Sequence, residues 1–328
     1  MNKFGPIFLL LLCLALLLSR GAFAQEVVQD FATWLELLRV DARSAGISEK
    51  TLNEALADLK EPEPRVIERD KAQPEKTESL EDYVATRVSP ERIAEGRLML
   101  RRYRTWLGRI EQQYQVQRRF IVALWGIESS YGRHAGKRPV IQSLVTLAYD
   151  KRRGAYFRKE LIAALKILDD GHISLSRMKG SWAGAMGLFQ FMPSSYRHYA
   201  VDADGDGRIN IWESVPDALA SAANYLAKAG WKSDQTWGRS VKLPKKIDDS
   251  LIGLETRLTL SRWQGLGVRR SNGRALPRRN LQASLIIPNG SAKPAYLIYS
   301  NFRALRRWNR SNSFAVTVGT LADALESN

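Results

Sequence analysis

A chain of 328 residues, 45% hydrophobic and 26% charged, has the composition of a folded globular protein long enough to bury a core without covalent staples. One Cys and three His leave no material for a disulfide scaffold, a Cys/His zinc site or an iron–sulfur cluster. Fifty Lys and Arg against 34 Asp and Glu give a net charge of +16, which suits an anionic partner.

Lys3, the apolar run 7–18 and Ala22-Phe23-Ala24 have the form of an export signal cleaved after Ala24. The run is short for a bilayer span, so no stable membrane anchor is expected after cleavage; an uncleaved anchor is the alternative. Cys13 lies inside the run, away from a lipidation position. Export to the periplasm argues against nucleic acid and for an envelope polymer. The basic residues stand singly or in pairs between apolar helical positions. Solvated helix faces are therefore the favoured reading, ahead of a dedicated polyanion groove.

Residues 30–43 read as an amphipathic helix with Phe31, Trp34, Leu37 and Leu38 at helical spacing, and a second short helix starts near Ser48 and runs through 59. Residues 60–80, rich in Pro and charge, read as an extended surface arm. Ser89-Pro90-Glu91 is a helix start, with Ser as N-cap and Pro at the first position, and that helix is expected to reach about 115. Further helices are expected at 117–129, 140–149, 155–168 and 217–229, the last closed by Gly230. A loop-rich stretch covers 180–212. Short strands follow at 241–244, 257–260, 283–290 and 295–299, with Pro288-Asn289-Gly290 as a turn, and a closing helix at 320–326. The expectation is a mainly α (α+β) protein with a small β-rich section near its end.

Phosphate-binding glycine loops, His-Glu-x-x-His and Gly-x-Ser-x-Gly are absent from the sequence, which removes the usual signals of nucleotide, zinc-peptidase and serine-hydrolase chemistry. Three segments remain. In the first, Phe120-Ile-Val-Ala-Leu-Trp-Gly-Ile leads into Glu128 and a polar, Gly-ended turn. A carboxyl near the C-terminal end of a buried helix is expected to hold its proton, as a general acid must; a structural ion pair with Arg is the alternative. The second, 180–194, mixes small residues with Trp182, Met186, Phe189 and Phe191; taken alone it reads as a core-packing loop ahead of a sugar-facing one. The third, Asp202-Ala-Asp204-Gly-Asp206-Gly207-Arg208 through Glu213, has the spacing of a calcium loop, with Asp202, Asp204, Asp206, the Arg208 carbonyl and Glu213 as ligands. A single loop of this kind is expected to be structural; an Asp-rich turn without metal is the alternative.

Taken in this order, Gly126-Ile-Glu128-Ser-Ser-Tyr-Gly132, Ser181-Trp-Ala-Gly-Ala-Met-Gly187 with Gln190-Phe-Met-Pro-Ser194, the 202–213 loop, Ser221-Ala-Ala-Asn-Tyr225-Leu226 and Arg307-Trp-Asn-Arg-Ser311 resemble the membrane-bound lytic transglycosylase B family, glycoside hydrolase family 103. The resemblance implies a lysozyme-like helical core at 116–240, with a helical section at 25–115 before it and a β-rich section at 241–328 after it. It implies cleavage of the β-1,4 bond between N-acetylmuramic acid and N-acetylglucosamine in peptidoglycan glycan strands, by a monomer without an organic cofactor. Glu128 stands in the place of the family's acid and base. Ser181, Gln190, Tyr225 and Asn309 match positions that line the sugar groove or hold the carboxyl. Ser129, Tyr131, Trp182, Phe191 and, on a looser motif, Tyr83 extend the candidate groove. Phe314 stands where a Tyr is expected and lacks its hydroxyl. In some members the last metal carboxylate comes from the following helix, which makes Asp217 a candidate beside Glu213. A hydrolase with two carboxylates, using Asp202 or Glu160 as the second, and a non-catalytic wall-binding protein are the rival readings.

Overall fold

The computed structural model describes residues 30–72, 78–288 and 294–326; the export segment and Asn289-Gly290 of the expected turn lie outside them. Helix α1 (Phe31–Ser44) is capped by the Asp30 carboxylate, which accepts from the Thr33 amide at 3.0 Å, and α2 (Glu49–Leu56) is capped by Ser48. Contrary to the expected arm at 60–80, residues 64–72 form a helix, α3 (Pro64–Ala72). Pro64 opens it, and only Val66 and Asp70 are buried, too few to show a helical period in a sequence this charged. Asp70 reaches Arg152 and Arg153, and the Glu63 amide donates to Thr146 Oγ1 at 3.0 Å, so the segment is fixed by polar contacts from elsewhere in the chain.

Helix α4 (Leu80–Arg87) precedes the expected Ser89-Pro90 start of α5 (Pro90–Arg102). The single helix expected over 89–115 is two: α5 ends at Tyr103 and α6 (Arg104–Tyr114) follows. Neither Gly nor Pro marks the break. The two halves have different partners, α5 packing on α7 (Arg118–Ser129) and α6 mainly on α11 (Val215–Lys228), while the Tyr103 ring meets Trp125 edge-on at 5.8 Å. A junction set by what each half packs against leaves no local trace.

Helix α7 is the centre of the molecule. Residues 120–126 are all buried, enclosed by α5, α6, α11 and α14 (Asn312–Glu326). Each of its large apolar side chains contributes on the order of 1.5–3 kcal/mol by burial. Strand β1 (Arg138–Pro139) leads into α8 (Val140–Tyr149), which packs on α9 (Gly154–Asp169); β2 (Lys179–Gly180) pairs antiparallel with β1, and α10 (Pro193–Tyr199) rests on α9. Helix α11 ends as expected at Gly230, whose φ of +87° lets the Gly230 and Trp231 amides turn back to the Ala227 and Leu226 carbonyls.

The β-rich section contains β3 (Gly238–Lys242), β4 (Leu258–Thr259), the short α12 (Leu260–Gly265), β5 (Arg269–Arg270), β6 (Gln282–Ile286) and β7 (Ala295–Ile298). They form one antiparallel sheet in the order β4-β6-β7-β3-β5. The section has its own apolar cluster around Trp263, whose indole donates to the Ala283 carbonyl at 2.9 Å. The chain then returns through α13 (Ser300–Trp308) and α14 into the large helical core, where Phe302, Leu305, Phe314 and Leu321 are buried. Helix α13 has no counterpart in the sequence reading, and the closing helix begins eight residues before the expected 320.

Candidate active site

Glu128 lies in the last turn of α7, half-buried, next to the fully buried run 120–126. Trp308, the last residue of α13, donates its indole N–H to Glu128 Oε1 at 2.7 Å. The Trp308 ring is held edge-on by Tyr225 at 4.6 Å, Phe191 at 4.9 Å and Phe189 at 6.4 Å. The carboxyl therefore sits against an aromatic wall. Trp308 was within the quoted Arg-Trp-Asn motif but was not singled out as a site residue. Its partner is 180 residues away, and no local pattern joins them.

The turn after Glu128 is strained. Ser130 and Tyr131 have φ of 49° and 59°, Gly132 follows at 92°, and Gln190, on the 180–194 loop, has φ of 52°. Non-glycine residues in this region cost roughly 1–3 kcal/mol each and persist only where surrounding contacts hold them. Here Ser129 Oγ donates to the Leu188 carbonyl at 2.5 Å and accepts from the Gly132 amide at 2.9 Å, tying the turn to the 180–194 loop. The Tyr131 hydroxyl donates to the Arg92 carbonyl at 2.8 Å, and burial pushes that phenol above its usual range. Ser129, Tyr131, Phe191 and Phe314 are all buried. These four, expected on the groove, lie packed in or against the core with little exposed surface.

Four other expected residues are half-exposed or exposed. Ser181 Oγ accepts from the Ala183 and Ala185 amides at 3.2 and 3.1 Å, which leaves its hydroxyl hydrogen to donate elsewhere. Gln190 donates both amide hydrogens to backbone, the Ala135 carbonyl at 2.8 Å and the Gly187 carbonyl at 2.9 Å, so its oxygen is the group that remains for a ligand. Tyr225 donates to the Arg307 carbonyl at 2.7 Å, and burial beside Tyr199 holds its phenol up at about 12, fully protonated. Asn309 is exposed just past α13, its Oδ1 accepting from the Ser311 amide at 3.0 Å. Trp182 packs half-buried on the core, and Tyr83, on α4, carries the Arg87 guanidinium over its ring at 3.6 Å.

The two rival carboxylates lie elsewhere. Glu160 is buried on α9, and both of its oxygens cap α10 by accepting from the Ser194 amide at 2.8 Å and the Ser194 hydroxyl at 2.7 Å. Asp202 belongs to the acidic loop. There, carboxylate oxygens of Asp202, Asp204 and Asp217 come within 4.8 Å of one another. Asp217 is fully buried at the start of α11 and accepts from the Ala203 and Asn210 amides, each at 2.8 Å; burial raises its carboxyl above the usual range. Among the described residues no Lys or Arg forms a salt bridge with these three. Converging hard oxygens without a protein cation are the donor set of a divalent ion. Asp206 stands outside the cluster and accepts from the Arg208 amide at 2.8 Å. Glu213, expected as the last ligand, is instead paired with Arg177, whose Nε donates to Oε1 at 2.9 Å. Asp217 lies in the cluster because the chain turns into α11 and brings it back under the loop.

With this geometry the chain is similar to SltB3 from Pseudomonas aeruginosa, solved in complex with NAG-NAM-pentapeptide and with NAG-anhNAM-pentapeptide: identity is 44%, 92% of this chain and 80% of that chain are covered, and the TM-score is 0.88. It is similar to the Escherichia coli lytic transglycosylase Slt35, solved in complex with calcium, at 28% identity over 93% of this chain and 94% of that chain, with a TM-score of 0.74. Against the membrane-bound lytic murein transglycosylase B of Escherichia coli (strain K12), identity is 35% over 249 residues, 73% of this chain; the chain spans 65% of that relative's own length. The helical body around α7 is the lysozyme-like core of these relatives. No described helix is long and apolar enough to cross a membrane. The chain belongs to the transglycosylase SLT domain family, whose match runs over residues 30–323.

Proposed function

We propose that this protein is a peptidoglycan lytic transglycosylase that cleaves the β-1,4 bond between N-acetylmuramic acid and N-acetylglucosamine and leaves a 1,6-anhydromuramic acid end. The observation that carries the reading is Glu128, a carboxyl at the end of a buried helix, hydrogen-bonded to Trp308 within an aromatic cluster. Glycoside hydrolysis by water needs a second carboxylate on the other side of the bond. Glu160 is committed to capping α10, and Asp202 to the acidic loop. One carboxyl suffices when the substrate supplies its own nucleophile. Glu128 protonates the leaving oxygen and, as a carboxylate, then takes the proton of the muramic acid C6 hydroxyl while that oxygen closes on C1. An intramolecular hydroxyl held over C1 has an effective concentration of order 10⁵ M or more, well above that of water. The ligands seen on SltB3, a muramoyl and an anhydromuramoyl pentapeptide, are the chemistry expected on either side of this step.

In this reading Ser181, Gln190, Tyr225, Asn309, Trp182 and Tyr83 line or frame the sugar groove. Asp202, Asp204 and Asp217, with Asp206 and the Arg208 carbonyl as further donors, hold a structural calcium that neutralises the loop's charge and stiffens the entry to α11. The protein works as a monomer in the periplasm after cleavage behind Ala24, on the anionic wall that its basic surface suits. The test is mass analysis of products from purified sacculi digested in oxygen-18 water. Unlabelled ends lighter by one water are expected. Labelled, reducing muramic acid ends would make the protein a muramidase, and no products at all would make it a wall-binding protein.

A further inference from the structure

Trp308 combines two properties that bear on how Glu128 handles its proton. It is rigidly placed. Helix α13 is tied at its start by Asn301, which accepts from the Lys232 amide at 2.7 Å and donates to the Lys232 and Gln235 carbonyls at 2.9 and 2.8 Å. It is tied at its end by Arg307, whose carbonyl accepts from Tyr225 at 2.7 Å and whose guanidinium donates to the Ala229 carbonyl at 3.0 Å. The indole itself is enclosed by Phe191 and Tyr225. Its polar atom is also chemically one-sided. An indole N–H donates and cannot accept, and it does not ionise in the range where a carboxyl titrates. A hydroxyl at the same place would both donate and accept.

We propose that Trp308 is a positioning residue that reserves Glu128 Oε1 as an acceptor throughout the reaction and so confines the transferred proton to Oε2. This rests on the transglycosylase reading of Glu128. In the neutral acid the indole bonds the carbonyl-type oxygen, because the O–H oxygen is the poorer acceptor and an N–H facing that hydrogen is repelled. In the carboxylate the same bond persists and strengthens with the charge. The proton therefore leaves Oε2 for the glycosidic oxygen as the C1–O bond breaks. Oε2 then receives the C6 hydroxyl proton as the O6–C1 bond forms. One oxygen performs both transfers without rotation of the carboxyl, while Oε1 stays bonded to the indole inside its aromatic surround.

Two experiments test this. In Trp308→Phe the ring remains and the N–H is lost. The expected result is a kcat reduced about tenfold or more with KM within about threefold of the parent, and an alkaline limb of kcat/KM moved to higher pH by about one pH unit, since removing a donor to the carboxylate raises its pKa. Trp308→Tyr, which restores a donor that can also accept, recovers part of kcat and returns the limb toward its original place. A purely packing role would lower the melting temperature and leave the limb where it was, and that result overturns the proposal. The second experiment needs no change at position 308. The indole ¹H–¹⁵N resonance of Trp308, followed with pH in unmodified protein, is expected to inflect with the titration of Glu128 and to stay hydrogen-bonded at both extremes; the inflection disappears in Glu128→Gln. A Trp308 resonance that ignores the titration overturns the proposal even if the Phe variant does not fold. Because this readout involves no substrate, its failure is distinct from failure of the product analysis.

Discussion

Gly126→Ala puts one methyl group on α7 two residues before Glu128, and local and tertiary physics predict opposite signs for it. Helix propensity alone favours Ala over Gly by about 0.5–1 kcal/mol in a helix interior. The structure opposes this. A Cβ at 126 would lie 2.7 Å from both Cζ and the hydroxyl oxygen of Tyr131. Tyr131 has nowhere to go. Its ring passes between Gly126 and Gly96 of α5, where a Cβ would collide with it again, its edge meets Trp125 at 5.8 Å, and its hydroxyl is bonded to the Arg92 carbonyl. Overpacking a site of this kind costs about 1–3 kcal/mol, and loss of the Tyr131 bond adds about 0.5–1.5 kcal/mol. Net of propensity, Gly126→Ala destabilises by about 0.5–4 kcal/mol, a fall in melting temperature of roughly 1–6 °C for a chain of this size. Gly108→Ala on α6 is the internal control, since nothing lies within 4 Å of a Cβ there. It is expected to raise the melting temperature slightly. Differential scanning calorimetry of both variants, with wall-cleavage rates for each, decides the matter. The 126 variant also loses activity, because Tyr131 anchors the strained turn that follows Glu128. A melting temperature that rises for Gly126→Ala as it does for Gly108→Ala would refute the packing argument.

Three further outcomes are expected. Glu128→Gln preserves shape and removes the titrating group, so wall cleavage falls by at least ~10²-fold while the melting curve and sacculus binding are retained; substantial turnover in a clean preparation would remove Glu128 from its role. Calcium raises the melting temperature of metal-stripped protein, by an amount equivalent to about 2.7 kcal/mol at a hundredfold excess over Kd, and Asp217→Asn abolishes the rise whereas Glu213→Gln keeps it, because Glu213 is engaged with Arg177; the reverse pattern would overturn the ligand assignment. Asp169 at the end of α9 accepts from Ser48, Lys166 and Thr51, and these bonds, those of Ser48 foremost, hold its carboxyl below the usual carboxylate range. Its stabilising contribution is therefore present above the unfolded pKa of about 4 and is lost as pH falls below that value. Asp169→Asn should lower the urea midpoint at pH 7 and show a smaller further drop between pH 5 and pH 3 than the parent; equal acid slopes would contradict the clasp.

What the sequence determined by itself is whatever depends on neighbours along the chain. Ser89-Pro90, Ser48 and Gly230 act on the nearest turn of backbone, and each begins or ends its helix as expected. The apolar run at 120–127 requires burial whatever surrounds it, which made α7 and the position of Glu128 legible. The Asp spacing at 202–206 likewise pointed to the acidic cluster without knowledge of the fold. The tertiary structure alone decided the rest. The break at Tyr103 comes from two different packing partners, and α3 is held by Arg152 and Arg153 from across the chain. Glu213 and Asp217 are candidates alike in the sequence; it is the turn into α11 that brings Asp217 into the acidic cluster and leaves Glu213 beside Arg177. Trp308, which donates to the Glu128 carboxyl, sits on a helix the sequence pattern did not reveal, 180 residues from Glu128. Side chains separated that far meet only because a shared core aligns their helices, and that alignment is a property of the packed whole, which local periodicity does not encode.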